Sequence, residues 1–129
     1  PNVFRKLWEN DDSLSSQYST PVFSRSHFYG IHGREDMGVS ELRCIDADNG
    51  RVMWRMEGFG VANLLLAEQT IIAVTAGGEL VLVNATPTKY AEQARVRFSE
   101  NVVRALPAVS KDRLYVRDSK ELFSIQIGR

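Results

Sequence analysis

"CIDADNGRVMW", residues 44–54, holds a β-alternating run, a polar turn and a tryptophan within eleven residues. Asp46 closes the first run, Asp48-Asn49-Gly50 supplies the turn, and Val52 and Trp54 fall on one face of the second run because they are two apart. Asn-Gly is a strong hairpin signal, since both residues tolerate positive φ. The stretch therefore reads as two antiparallel strands joined by a tight turn, with an aromatic side chain anchored on one face.

Outward from this hairpin the chain continues as short β-rich runs punctuated by turn signals, among them "HFYGIH", "NLLLA", "TIIAVT", "ELVLVN", "ARVRF" and "RLYVR". The exception is "TPTKYAEQA", residues 86–94. Thr86 can cap a helix there, Pro87 suits its first position and Ala91 to Ala94 propagate it, which predicts a short helix inserted in a loop. Three segments align, with centres at Tyr29, Ile72 and Tyr115, 43 residues apart each time. A Glu-Leu pair recurs with them, at Glu41-Leu42, Glu79-Leu80 and Glu121-Leu122. A period of about 40–45 residues with about four short strands per unit is the sequence mark of β-propeller blades.

The predicted fold is all-β: blades of four antiparallel strands, about three repeats, forming one propeller segment. Residues 19–56 make the first repeat, 61–98 the second, and 104–127 a third that lacks its fourth strand. Residues 1–9, containing "VFRKLW", read as an orphan outer strand in which Trp8 takes the part of Trp54. Propellers typically have four blades or more, so the expected partners are the remaining blades of a larger ring or a second protomer.

The hairpin also carries a family resemblance. Asp46, Gly50 and Trp54 stand at the Asp, Gly and Trp positions of Ala-x-Asp-x-x-Thr-Gly-x-x-x-Trp, the tryptophan-docking motif of quinoprotein-type propellers, with Cys44 for the small first residue and Asn49 for Thr. "FYGIHGR", "GELVLVNATP" and "LYVRDSKELFSI" are similar to the same pyrroloquinoline-quinone-like repeat proteins. The second unit departs from the motif through its "ATPTKYAEQA" insert, and the third stops before the turn. The resemblance implies a structural role for the tryptophan, packed against the neighbouring blade. It also implies a bacterial, extracytoplasmic protein of a kind often without enzyme activity.

Sixteen Lys and Arg balance sixteen Asp and Glu, so no net field favours nucleic acid or an anionic membrane. No apolar run approaches the eighteen or more residues of a membrane span, and "PNVFRKLWENDD" lacks the pattern of a signal peptide. The single cysteine, Cys44, excludes an internal disulfide and a cysteine-cluster metal site. Composition leaves localisation open.

Among candidate site residues, His27 and His32 lie five apart on an extended run, so they face opposite ways and do not chelate one ion. His32, Arg34 and Asp36 fall in "IHGREDMGVS", a loop about five residues longer than its counterparts, and loops on rigid scaffolds display binding groups. Arg117 and Asp118 sit in the matching turn of the third unit. There they either pair on the surface with Lys111, Asp112 and Lys120 or bind an anion near the ring's channel. "DADNG" has the acidic alternation of a calcium loop but puts Gly50 one place early, and a turn between strands does not wrap an ion. Asn84-Ala85-Thr86 is a glycosylation triplet in form, followed by Pro87. No nucleophile or phosphate-loop motif occurs, and "TAGGE", residues 75–79, reads as a hairpin turn. The reading is a non-catalytic binding or scaffold module that uses no metal or cofactor and meets a protein partner. The alternative is a fragment of a quinone-dependent dehydrogenase holding pyrroloquinoline quinone with calcium.

Overall fold

Pairing of each strand with its sequence neighbour organises the whole chain. The computed structural model describes residues 3–128. In its first sheet β1 (Val22–Ser24), β2 (His27–Arg34), β3 (Val39–Asp46) and β4 (Val52–Glu57) run as an antiparallel meander. The second sheet repeats this with β5 (Ala62–Ala67), β6 (Thr70–Thr75), β7 (Glu79–Asn84) and β8 (Glu92–Arg97). A third has β9 (Ala108–Ser110), β10 (Arg113–Arg117) and β11 (Leu122–Gln126), and among the described residues the outer edge of β11 is unpaired.

The second sheet is covered on both faces, which is why "TIIAVT" is apolar nearly throughout. Ile71, Ala73, Val81 and Val83 pack against Tyr29, Ile31, Leu42 and Cys44 of the first sheet. Ile72, Val74 and Leu80 pack the other way, against Leu114 and Val116 of the third. Alternate residues of one strand thus feed two cores, as the period of two requires.

Local geometry repeats with the sequence period. Arg25, Glu68 and Lys111, 43 residues apart, have φ of 48°, 55° and 57° in the turns between the first and second strands of each sheet. At the same ends, Ala47 N–H donates to Ser26 O, Ala85 N–H to Gln69 O and Ile127 N–H to Asp112 O, at 2.9, 2.8 and 2.8 Å. The β3–β4 and β7–β8 ladders slip at matching points, after the pairs Cys44–Trp54 and Leu82–Ala94. In the β3–β4 turn only Gly50 takes positive φ, at 77°, and the loop spans residues 47–51. Asp46 N–H donates to Arg51 O and Gly50 N–H to Asp46 O, both at 2.8 Å, and Asp46 Oδ1 accepts Asp48 N–H. The turn is therefore wider than the Asp48-Asn49-Gly50 turn that the sequence predicts.

Two further expectations are corrected. The helix over residues 86–94 does not form: 85–91 is a connection and Glu92–Arg97 is β8, because the open edge of β7 offers ladder hydrogen bonds that outweigh local helix preference. Residues 3–9 form no strand, for an outer strand needs the free edge of another sheet to pair with and the described residues set none beside them, and residues 1 and 2 lie outside the described range. The leading strands begin at Val22 and Ala108, just beyond Pro21 and Pro107, whose missing N–H groups cannot enter a ladder.

Trp8 keeps a defined place without a strand. Its Nε1–H donates to Ala47 O at 3.0 Å, as Trp54 Nε1–H donates to Thr86 O at 2.8 Å. A Cβ on Gly50 would stand 2.9 Å from Trp8 Cζ3 and 2.8 Å from Ser13 Oγ, so the indole and the Ser13 hydroxyl, which donates to Gly50 O, close over a bare backbone. Trp54 is half-buried between the Tyr29 and Tyr90 rings, at centroid distances of 6.1 and 5.7 Å.

Candidate functional site

The stretch predicted as a loop before the motif is mostly strand. His32 and Arg34 belong to β2, Val39 and Ser40 to β3, and the pairs His32–Glu41, Gly33–Ser40 and Arg34–Val39 carry the ladder outward to a single 3-10 turn, Glu35–Met37. Its eight-residue strands exceed the six and five of β6 and β10. Extra length has become a stiff projecting hairpin. Gly33 makes this possible: at φ 114° a Cβ would overlap the Val39 carbonyl.

Residues 15–16 strap the hairpin's flank. Gly33 N–H donates to Ser15 O at 3.0 Å, Ser16 Oγ–H to Ile31 O at 2.8 Å, and Ser15 N–H to His32 Nδ1 at 3.1 Å. Nδ1 must be unprotonated to accept, and burial, followed by the charge of Arg43, lowers the His32 pKa. Below it Arg43 Nε–H donates to Glu41 at 2.8 Å while Arg43 Nη1 serves the carbonyls of Asp12 and Ser13 at 2.7 and 3.1 Å. This buried pair ties the hairpin base to the leading segment.

At the exposed tip, Arg34 Nε and Nη2 donate to the two Asp36 carboxylate oxygens at 3.0 and 2.9 Å. The fork holds the Asp36 carboxyl below its ordinary value and raises Arg34. Apolar groups flank it: Met37 is 69% exposed, Val39 51%, and Tyr18, two residues beyond the strap, 93%. A cavity of about 290 Å³ opens beside Tyr18, walled by Val61, Asn63, Val103 and Arg104. Sequence reasoning passed over Tyr18, Met37 and Val39; a lone aromatic in the polar run "SSQYST" was the available signal.

Arg117 and Asp118 lie on the third sheet, with the second sheet between them and the hairpin, so the candidates form two groups. Asp118 is buried, not paired on the surface. It accepts the Ser99 hydroxyl, Asn101 Nδ2–H at 3.2 Å and the N–H groups of Lys120 and Glu121 at 2.7 Å each, while Arg117 Nε–H donates to its backbone carbonyl at 3.0 Å. The Ser99 hydroxyl and then the two backbone donors hold its carboxyl well below the ordinary range. Asp118 fastens the β10–β11 turn to the connection that precedes β9.

Among the described residues no group of three or more His, Cys, Asp or Glu side chains is placed to hold a metal ion. Asp46 turns an oxygen onto its own loop backbone, and these residues do not fit a calcium ion. Cys44 is fully buried, and burial pushes its thiol up to about 11. No helix of the described residues is long and apolar enough to cross a membrane.

Antiparallel meanders stacked face to face through a common middle sheet, with an indole from one unit bonded to the turn of the next, define a β-propeller-like fold. Solved structures show the same arrangement. BamB from Moraxella catarrhalis, a β-propeller with PQQ-like repeats, superposes with a TM-score of 0.65 at 18% identity, over 83% of this chain and 32% of that one. The computationally designed protein Ika8 gives 0.61 at 12% identity, over 90% of this chain and 36% of its own. The chain thus spans about a third of the length of each. No family model matches it, and neither does any curated protein.

Proposed function

We propose that this chain is part of a non-catalytic propeller scaffold that binds a protein partner through the tip of the β2–β3 hairpin. The observation that carries the reading is the tip itself: a ladder-stiffened projection presenting Arg34, Met37 and Val39, with Tyr18 at its flank. Arginine, methionine and aromatic side chains are enriched in protein interfaces, and tyrosine and arginine dominate their energetic centres. A hairpin already fixed by the Ser15–Ser16 strap loses little further freedom on binding. The Arg34–Asp36 fork can exchange its exposed pairing for a partner's carboxylate or amide at small cost, since solvent screens an exposed ion pair. The remaining blades of the ring, or a second protomer, would pair along the open edge of β11.

The test is site-specific photocrosslinking in the full-length protein, with the reactive residue at Met37 or, as a control, at exposed Glu100. A partner trapped from position 37 alone, and lost in Arg34→Ala with Tyr18→Ala, supports the reading. Equal trapping from both positions, or capture unaffected by the two substitutions, refutes it.

A further inference from the structure

The two interfaces of the second sheet are built on one plan but filled differently. At the first, Tyr29 and Cys44 form a cross-strand pair beside the Cys44–Trp54 pair, and Trp54 reaches the turn of the next unit. At the second, the ladder slip places Ile72, Leu82 and Ala94 at the corresponding positions. The tryptophan has become alanine. Between the same two sheets lies a cleft of about 630 Å³, its apolar wall formed by Leu66, Ile72, Leu82, Val109 and Ile127. That volume lies within the range of about 300–1,000 Å³ usual for ligand sites.

The cleft also contains the backbone positions that receive an indole elsewhere. Ala47, Ala85 and Ile127 make the same backbone hydrogen bond in the three sheets, so Ile127 corresponds to Ala47 and Gly128 to Thr86. Trp8 donates to Ala47 O and Trp54 to Thr86 O. Ile127 and Gly128 both line the cleft. Thr70, Gln93, Lys111 and Asp112 also line it, and offer a hydroxyl, an amide and charges of both signs suited to a peptide backbone.

We infer that the cleft between the second and third sheets is a binding site for an indole group, supplied by a tryptophan side chain of a partner polypeptide. The indole lies between Ile72 and Leu82 on one side and Val109 on the other, continuing the stack that Trp54 completes one unit earlier. The site is separate from the hairpin tip, and either stands without the other.

The experiment is a methyl NMR titration of the full-length protein with N-acetyl-tryptophanamide, with N-acetyl-leucinamide and free indole in parallel. Saturating shifts at the methyls of Leu66, Ile72, Leu82 and Ile127 are expected, with the tryptophanamide bound at least tenfold more tightly than either control. Ala94→Trp, which supplies the indole from β8 itself, is expected to abolish them; should it fail to fold, Thr70→Trp at the mouth serves the same end. Absence of shifts in the wild type, their persistence in the folded variant, or an equal response to the leucine analogue overturns the site. Free indole binding as tightly as the tryptophanamide overturns the polypeptide source.

Discussion

Replacing Trp54 by alanine removes the side chain that joins the first two sheets at their outer edge. Its indole contacts Tyr29 and Tyr90 and donates to Thr86 O at 2.8 Å. Emptying a buried tryptophan site costs about 3–5 kcal/mol. Trp54 is half-buried, which puts its area contribution at the low end. Two aromatic contacts of about 0.5–1.5 kcal/mol each and a hydrogen bond of about 1 kcal/mol act in the same direction, and we expect a loss of about 3 kcal/mol. For a chain of this size that lowers Tm by about 10 °C. The assay is thermal and urea unfolding followed by far-ultraviolet circular dichroism, since Trp8 confuses a fluorescence signal. Trp54→Phe keeps an aromatic ring between Tyr29 and Tyr90 but loses the donor with the pyrrole part of the indole, so it should cost less than alanine, about 1–2 kcal/mol. A Trp54→Ala midpoint within error of wild type would refute the packing argument, and equal losses in the two variants would assign the effect to the hydrogen bond alone.

Protonation of His32 breaks the bond from Ser15 N–H; because its folded pKa is lowered, this contribution is full above about pH 6.5 and is lost as pH falls through the folded value. Amide exchange at Ser15, corrected for intrinsic rate, should lose protection over that window, and a flat profile would contradict the assignment. Asp118 is also lowered, so its stabilisation is present above about pH 3.9 and disappears as pH drops through its folded value. Asp118→Asn should therefore be less stable than wild type at neutral pH and converge with it in strong acid; a constant gap in urea midpoints would show that the charge is irrelevant. Cys44, buried and pushed up to about 11, should react with a thiol reagent only after denaturation. Stoichiometric labelling of the native protein at neutral pH would contradict its burial.

The parts of the fold that were legible are those encoded over a few residues. Alternation in "TIIAVT" and "ELVLVN" defined strands because side chains in a strand change face at every step. Gly50 marked a turn because that turn needs a residue at positive φ. The positive φ of Arg25, Glu68 and Lys111 was not legible in the turns that precede the second strands, for none is a residue type that favours left-handed backbone, and each is held there by the ladders on either side. Residues 86–94 have the local features of a helix start, yet lie against an open edge whose hydrogen bonds no local pattern records.

The candidate site divides in the same way. Projection of the hairpin was readable as extra length; its stiffness was not, because it depends on Gly33 meeting Ser15 and Ser16 from well upstream. Asp118 resembled a surface charge until Ser99 and Asn101, from the preceding connection, closed over it. The sequence by itself determined the strands, their period and the two tryptophans, since those follow from side-chain spacing and turn chemistry. Only the tertiary structure decided which charges are buried, which loop is rigid and where a cleft lies between the second and third sheets, because each depends on groups far apart in the chain meeting across a sheet interface.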